Sequence, residues 1–249
     1  MKLTAKEVYD KLVNEFKIKE QIGEIKFTLG DLTINVTTSD VVGNIMQQWV
    51  KEWLIKNGVE AEENPNTQAA PDFFLDLDNR QKGWMEVKAF HGSPNFDIAD
   101  FAPYGNELPD KPWCLDEDFL IFKYKMDSKT GVITIVDIWL KKVWEICGTS
   151  ANYAINVQAK APDKSNPKQK NIHKIRPITW YTTRKNTYKP FKSLEYFLSA
   201  MAYLRLSDYR TFMDSTWLIR VKKAYRDYFG KDLSIPNFNE IPTEELKRI

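Results

Sequence analysis

The residue types best suited to chemistry lie in Pro71–Phe90, PDFFLDLDNRQKGWMEVKAF. Two short apolar runs flank DNRQKG, a polar segment ending in glycine, and this pattern predicts a hairpin with acidic side chains on its arms. In the second arm side chains alternate between the sheet faces. Trp84, Glu86, Lys88 and Phe90 therefore share one face, and Met85, Val87 and Ala89 the other. An acid beside a lysine in an otherwise apolar strand is costly unless something compensates the charge, and a divalent cation is the natural compensation. With Asp72 brought near by the hairpin, the site would offer two carboxylates, a backbone carbonyl at Val87 and an adjacent ammonium. Such a set suits metal-assisted phosphodiester hydrolysis: oxygen ligands hold Mg2+, the cation polarises the phosphoryl group and acidifies a water, and Lys88 orients or helps deprotonate that water.

Pro71-Asp72 followed by Glu86-Val87-Lys88 resembles the PD-(D/E)xK signature of the nuclease superfamily that includes most type II restriction endonucleases. The resemblance implies that Asp72 and Glu86 are metal ligands and Lys88 the catalytic lysine. Later segments, DFLIFKYKMDSKTGVITIVDIWLKKVWEIC and IHKIRPITWYTTRKNTYKPFKSLEYFLSAM, resemble the NgoBV-type group of small restriction enzymes, so the likeness runs from Pro71 to about Met201. It implies a double-stranded DNA substrate, 5′-phosphate and 3′-hydroxyl ends, and a cognate DNA methyltransferase. It also implies a GC-rich palindromic target such as GGNNCC. A homodimer is expected, because a two-fold protein matches a palindrome and supplies one centre per strand.

The motif is short and has decoys. Acid-x-Lys triplets recur at Glu24-Ile25-Lys26, Asp127-Ser128-Lys129 and Glu245-Leu246-Lys247, and Pro-Asp at Pro109-Asp110 and Pro162-Asp163. DSKTG reads as a solvated turn. Only the pair beginning at Pro71 puts both carboxylates on apolar strands.

Two cysteines, Cys114 and Cys147, form no CxxC pair, and with only His91 and His173 a zinc site of the usual kind is disfavoured. Oxygen ligands remain, and with them Mg2+, or Mn2+ as the alternative. His91, just past the motif strand, is a candidate phosphate contact or a structural residue. No run approaches the roughly 20 apolar residues that span a bilayer, and MKLTAKEVYDKL is amphipathic rather than signal-like. A soluble, cytoplasmic protein is expected. No P-loop, dinucleotide-binding glycine pattern or internal repeat is present.

The elements that must position these residues form an α/β fold of restriction-endonuclease type, with a mixed central β-sheet flanked by helices. Length favours a single nuclease domain over 1–249, with a catalytic core over roughly 25–145, a basic DNA-contacting segment over 141–192 and a helical part over 193–230. A helix with a Thr4/Glu7 capping box is expected over 4–19, then a hairpin turning at Gly30-Asp31. The next helix runs from near Ser39 to Asn57-Gly58 and buries Val41, Val42, Ile45, Met46, Trp49, Val50, Trp53 and Leu54. Its other face holds Gln48 and Glu52, either of which could supply the further acid-side residue that many nucleases of the superfamily take from a preceding helix. Glu62, Glu63 and Asn64 are expected to face solvent, and residues 91–118 are too rich in proline and glycine for a long helix or strand. A second hairpin pairs DFLIFKYKM with VITIVDIWL. Helices follow over SLEYFLSAMAYLRL and SDYRTFMDSTWLIRVKKAYRDYFG, the latter closed by Gly230, and the polar tail after it is expected to pack loosely.

Net charge of +2 conceals a division. Residues 141–192 hold twelve Lys/Arg against two acids, a local balance of +10, so the rest of the chain carries −8. A polyanionic partner explains this concentration, because Lys and Arg displace counterions condensed on nucleic acid. Lys160, Lys164, Lys168 and Lys170 lie in QAKAPDKSNPKQKN, too polar to order itself alone, and are assigned to phosphate contacts. Arg176, Arg184, Lys185 and Asn186 lie among Trp180, Tyr181 and Tyr188, and are assigned to base edges in the major groove. The first reading is therefore a Mg2+-dependent, sequence-specific type II restriction endonuclease. Two alternatives stay open: a repair nuclease or junction resolvase with the same centre, and a DNA-binding module in which Glu86 and Lys88 form only an ion pair.

Overall fold

The computed structural model describes residues 1–66, 69–161, 170–208 and 214–249. In chain order its elements are α1 (Ala5–Asp10), β1 (Ile22–Gly23), β2 (Lys26–Leu29), β3 (Leu32–Asn35), α2 (Val42–Lys56), β4 (Glu62–Glu63), β5 (Phe73–Phe74), β6 (Trp84–His91), β7 (Ala99–Asp100), α3 (Phe101–Glu107), β8 (Asp118–Met126), β9 (Ile133–Lys141), α4 (Val143–Ile146), β10 (Val157–Lys160), β11 (Asn171–Ile175), α5 (Leu194–Arg205), α6 (Trp217–Phe229) and α7 (Thr243–Leu246). The chain divides into two compact units, 1–94 with 117–141, and 95–116 with 142–249. Among the described residues no helix is long and apolar enough to cross a membrane.

The first unit is built on a six-stranded mixed sheet in the order β1-β9-β8-β6-β5-β4. β6 and β8 run parallel, with Glu86 opposite Phe119 and Lys88 opposite Ile121, and the other pairings are antiparallel. The alternation expected for β6 is present: Met85 and Val87 join Leu120, Phe122 and Tyr124 in the core under α1 and α2. Each large apolar side chain fully buried there contributes about 1.5–3 kcal/mol. On the other face Phe90 stacks on Trp139 at 6.1 Å between centroids.

The capping box at Thr4 and Glu7 holds as expected, but α1 stops at Asp10; a π-helical turn covers Lys11–Glu15, and Lys17 takes a left-handed φ of 51°. In α2 the buried stripe is narrower than its apolar residues suggest, since Val41 and Ile45 are exposed. Glu62 and Glu63 are recruited as the edge strand opposite Phe74 and Phe73, and Glu63 is half-buried against Lys51 at 2.6 Å rather than facing solvent. Pairing with β5 satisfies backbone groups that a free loop would leave to water. β2 and β3 form a separate two-stranded hairpin with Phe27, Leu29, Leu32 and Ile34 exposed.

The second unit has a three-stranded antiparallel sheet, β10-β11-β7, with α3 and α5 to α7. Its centre is Trp217, which donates to the Gly105 carbonyl at 2.5 Å and lies under the Arg205 guanidinium at 4.8 Å. Gly105 leaves room for the guanidinium, since a Cβ there would fall 2.3 Å from Arg205 Nη1 and displace it. The tail does not pack loosely. Asn186 N–H donates to the Arg248 carbonyl at 2.7 Å, Arg248 N–H to Thr187 at 2.8 Å and Lys189 N–H to Leu246 at 2.8 Å. Backbone bonding between two otherwise irregular segments satisfies both, and it fixes the loop that carries Arg184 to Asn186.

Candidate active site

Asp72 sits at the entrance to β5, and the hairpin carries it to the middle of β6. The turn is closed by Asp76, which accepts from the backbone N–H groups of Asp78 and Asn79, each at 3.1 Å, and by Gly83 at φ 64°. A Cβ on Gly83 would lie 2.8 Å from the Asp76 nitrogen, so only glycine fits. Phe73 then pairs with Met85 and Phe74 with Trp84. Asp72 N–H donates to Glu86 Oε2 at 3.0 Å, and Val87 N–H donates to Asp72 Oδ2 at 2.7 Å. Lys88 Nζ donates to Glu86 Oε1 at 2.6 Å. Asp72, Glu86 and Lys88 are thus one bonded cluster.

A buried cluster of this kind shifts protonation. Burial and then the neighbouring Glu86 carboxylate push the Asp72 carboxyl up to about 7, against the opposing pull of Lys88 and the Val87 N–H. Burial works against the Lys88 ammonium, but Glu86, Asp72 and Glu117 outweigh it and hold its pKa above the ordinary lysine value. Glu117 was not among the residues singled out in the sequence. It is 4% exposed, and burial together with repulsion from Glu86 raises its carboxyl well above the usual range.

With this geometry in view, comparison with known proteins is decisive. A family model described as NgoBV restriction endonuclease matches residues 2–244. The chain belongs to the NgoBV restriction endonuclease family. It is 42% identical over 251 residues to the type II restriction enzyme NlaIV of Neisseria lactamica, covering 100% of both chains. It is also 46% identical over 162 residues to the type II restriction enzyme NgoBV of Neisseria gonorrhoeae, over 64% of this chain and 91% of that one. A solved structure of the NlaIV restriction endonuclease superposes with a TM-score of 0.90 at 42% identity, covering 100% of this chain and 98% of the other. As a member of the NgoBV family the chain is by class a type II restriction endonuclease, and its mixed sheet with flanking helices is the fold of that structure.

The NgoBV-family chain carries its basic candidates in the second unit. Lys160 is exposed at the end of β10, and Lys170 lies over the Tyr153 ring at 4.9 Å. Lys164 and Lys168 lie outside the described residues. Arg184, Lys185 and Asn186 are exposed on the loop held by the tail, and Asn186 has a left-handed φ of 58°. Arg176 is engaged internally: its Nε contacts Asp97 at 2.9 Å, Nη2 donates to Gln158 at 2.9 Å and Nη1 to the Asn95 carbonyl. Part of the +10 balance is answered inside the unit, since Lys142 pairs with Asp116, Lys174 with Asp100 and Lys192 with Glu245.

The donor chemistry fits a hard divalent cation. Cys114 and Cys147 are buried, and burial pushes the Cys147 thiol above its ordinary value, so neither is placed to be a thiolate ligand. His91 is exposed beyond the cluster, its ring 5.8 Å from that of Tyr124. Among the described residues no three His, Cys, Asp or Glu side chains gather closely enough to chelate an ion by themselves. Two carboxylates with a backbone carbonyl and water are what Mg2+ commonly takes. Gln48 and Glu52 of α2 are exposed and bonded to each other at 3.2 Å, on the helix expected to supply a further residue.

Proposed function

We propose that this chain is a Mg2+-dependent type II restriction endonuclease that hydrolyses double-stranded DNA at a specific sequence, leaving 5′-phosphate ends. The observation that carries the reading is the bonded cluster of Asp72, Glu86 and Lys88. Asp72 and Glu86, with the Val87 carbonyl, are the residues that would hold Mg2+, or Mn2+ in its place. The N–H and C=O of one strand residue point to the same edge, and the Val87 N–H points at Asp72, so its carbonyl lies toward the same carboxylate. The cation, when bound, polarises the phosphoryl group and lowers the pKa of water at the site.

Lys88 keeps its proton at neutral pH in the free chain, because Glu86, Asp72 and Glu117 surround it. Its ammonium therefore orients the attacking water and meets the charge that develops on the phosphoryl oxygens. The Val87 N–H holds one Asp72 oxygen and so fixes the direction of the other. Lys160, Lys164, Lys168 and Lys170 take phosphates, and Arg184, Lys185 and Asn186 read bases, while Arg176 pairs with Asp97 of the same unit. Two copies, one for each strand of a palindrome, form the working enzyme, and a cognate methyltransferase protects host DNA in the cytoplasm.

Purified protein incubated with mixed-sequence DNA and Mg2+, beside Asp72→Asn and Lys88→Ala, tests the reading. Discrete fragments with a constant end sequence are expected from the wild type alone. Equal cleavage by all three proteins refutes the site. Preference for branched over linear duplex would favour a junction resolvase, and binding without cleavage a DNA-binding module.

A further inference from the structure

Three acids of the first unit, Asp72, Glu86 and Glu117, differ in how they are satisfied. Asp72 holds the Val87 N–H, and Glu86 holds the Asp72 N–H and Lys88. Glu117 Oε1 is buried and accepts no hydrogen bond among the described residues. Burying a carboxylate oxygen without a partner is costly and calls for an explanation.

Register says which face of the sheet Glu117 takes. Glu117 immediately precedes β8, whose Asp118 lies opposite Met85 and whose Phe119 lies opposite Glu86. Residues two apart share a face, so Glu117 falls on the face of Phe119, Glu86 and Lys88, one strand over from the cluster. Glu86, Lys88 and Asp72 all act on it electrostatically. Three carboxyl groups then share a single ammonium, and a divalent cation would answer the excess of negative charge that their full ionisation creates.

Resting on the nuclease reading of the site, we propose that Glu117 is a third carboxylate of the cation site, acting on a hydrated divalent ion through its water shell. Direct chelation is disfavoured because the three acids do not gather at ligating distance among the described residues. Mg2+ keeps several waters when one or two carboxylates bind it, and a carboxylate one water away accepts hydrogen bonds from that shell. Such outer partners typically alter metal affinity about 10–100-fold when removed. On this reading a third acid comes from the residue just before β8, the strand after the motif.

Mn2+ binding without DNA, followed by the loss of the free-ion paramagnetic resonance signal, tests this in wild type, Glu117→Gln, Asp72→Asn and Glu86→Gln. Glu117→Gln should bind Mn2+ about tenfold more weakly, and the other two should lose binding further. Wild-type affinity in Glu117→Gln, with loss in the other two, overturns the role of Glu117 and leaves the nuclease reading standing. Undiminished binding in all three variants, or none in the wild type, sinks both. Should Glu117→Gln lack the wild-type circular dichroism, Glu117→Asp, with its carboxylate drawn back by one methylene, is titrated in its place. Weaker binding supports the inference and wild-type affinity overturns it.

Discussion

Replacing Asp72 by asparagine should stabilise the cation-free protein, increasingly as pH rises from about 4 to about 7 and by a constant amount above that. The folded chain holds the Asp72 carboxyl up to about 7, against an ordinary 3.8. Between these values the folded state binds a proton that the unfolded chain has released, so stability falls as pH rises through the window. A difference of about 3 pKa units, at about 1.4 kcal/mol each, sets a ceiling of about 4 kcal/mol lost between pH 4 and pH 8. Glu117 is shifted in the same direction and is itself raised in part by Asp72, so the difference between wild type and Asp72→Asn reports Asp72 together with its interaction with Glu117. Urea unfolding followed by tryptophan fluorescence in a chelator, at pH 4.5, 6 and 8, measures it. The variant should exceed the wild type by no more than about 1 kcal/mol at pH 4.5, by most of the full difference at pH 6, and by a few kcal/mol at pH 8. Adding Mg2+ at pH 8 should then raise the wild type alone, since the ion binds the ionised carboxylate. A difference independent of pH, or a variant less stable at pH 8, would refute the electrostatic account of this cluster.

Lys88→Met removes the ammonium and keeps the stem, and should lower single-turnover cleavage by about 10²–10⁴-fold while DNA binding in Ca2+ persists; unchanged cleavage would remove Lys88 from the chemistry. Neutralising Lys160, Lys164, Lys168 and Lys170 together should weaken binding to all sequences and flatten the log–log salt dependence by about 3–4, read by anisotropy at several salt concentrations. Arg184→Ala or Asn186→Ala should instead narrow the gap between target and non-target DNA by about 1–3 kcal/mol, measured by competition. Arg248→Ala removes the donation to the Tyr188 carbonyl at 2.8 Å and should blur the same discrimination without touching any base.

What could be read in advance was local. The period-two alternation of Trp84 to Phe90 fixed which side chains share a face, and no distant contact was needed to infer it. The capping box at Thr4, the hairpin around Asp127 and the glycine closing α6 are likewise short-range devices, and all are present. Glu117 was hidden for the opposite reason. In WCLDEDF it reads as one of three acids in a proline-rich loop, and its burial depends on β8 lying parallel to a strand about 30 residues earlier. Spacing to Phe119 and Ile121 was the available signal, and it means little until the register with β6 is known. Glu63 and the tail were misjudged similarly, because both are ordered by partners remote in sequence. The exposure of Val41 and Ile45 shows how far a broad apolar stripe overstates the buried face of α2.

One strand carries Glu86 and Lys88 on one face and fills the interior with the other: Met85 is wholly buried, Val87 nearly so, and β8 flanks the strand from Met85 to His91. Its amides should take up deuterium only when the entire unit opens, whereas those of the solvated hairpin Lys26–Asn35 exchange early. The proposed site on this strand should therefore move only with the unit that carries it. Control over cutting would then fall to cation binding, to the protonation of the acids and to the arrival of DNA, not to a local opening of this strand.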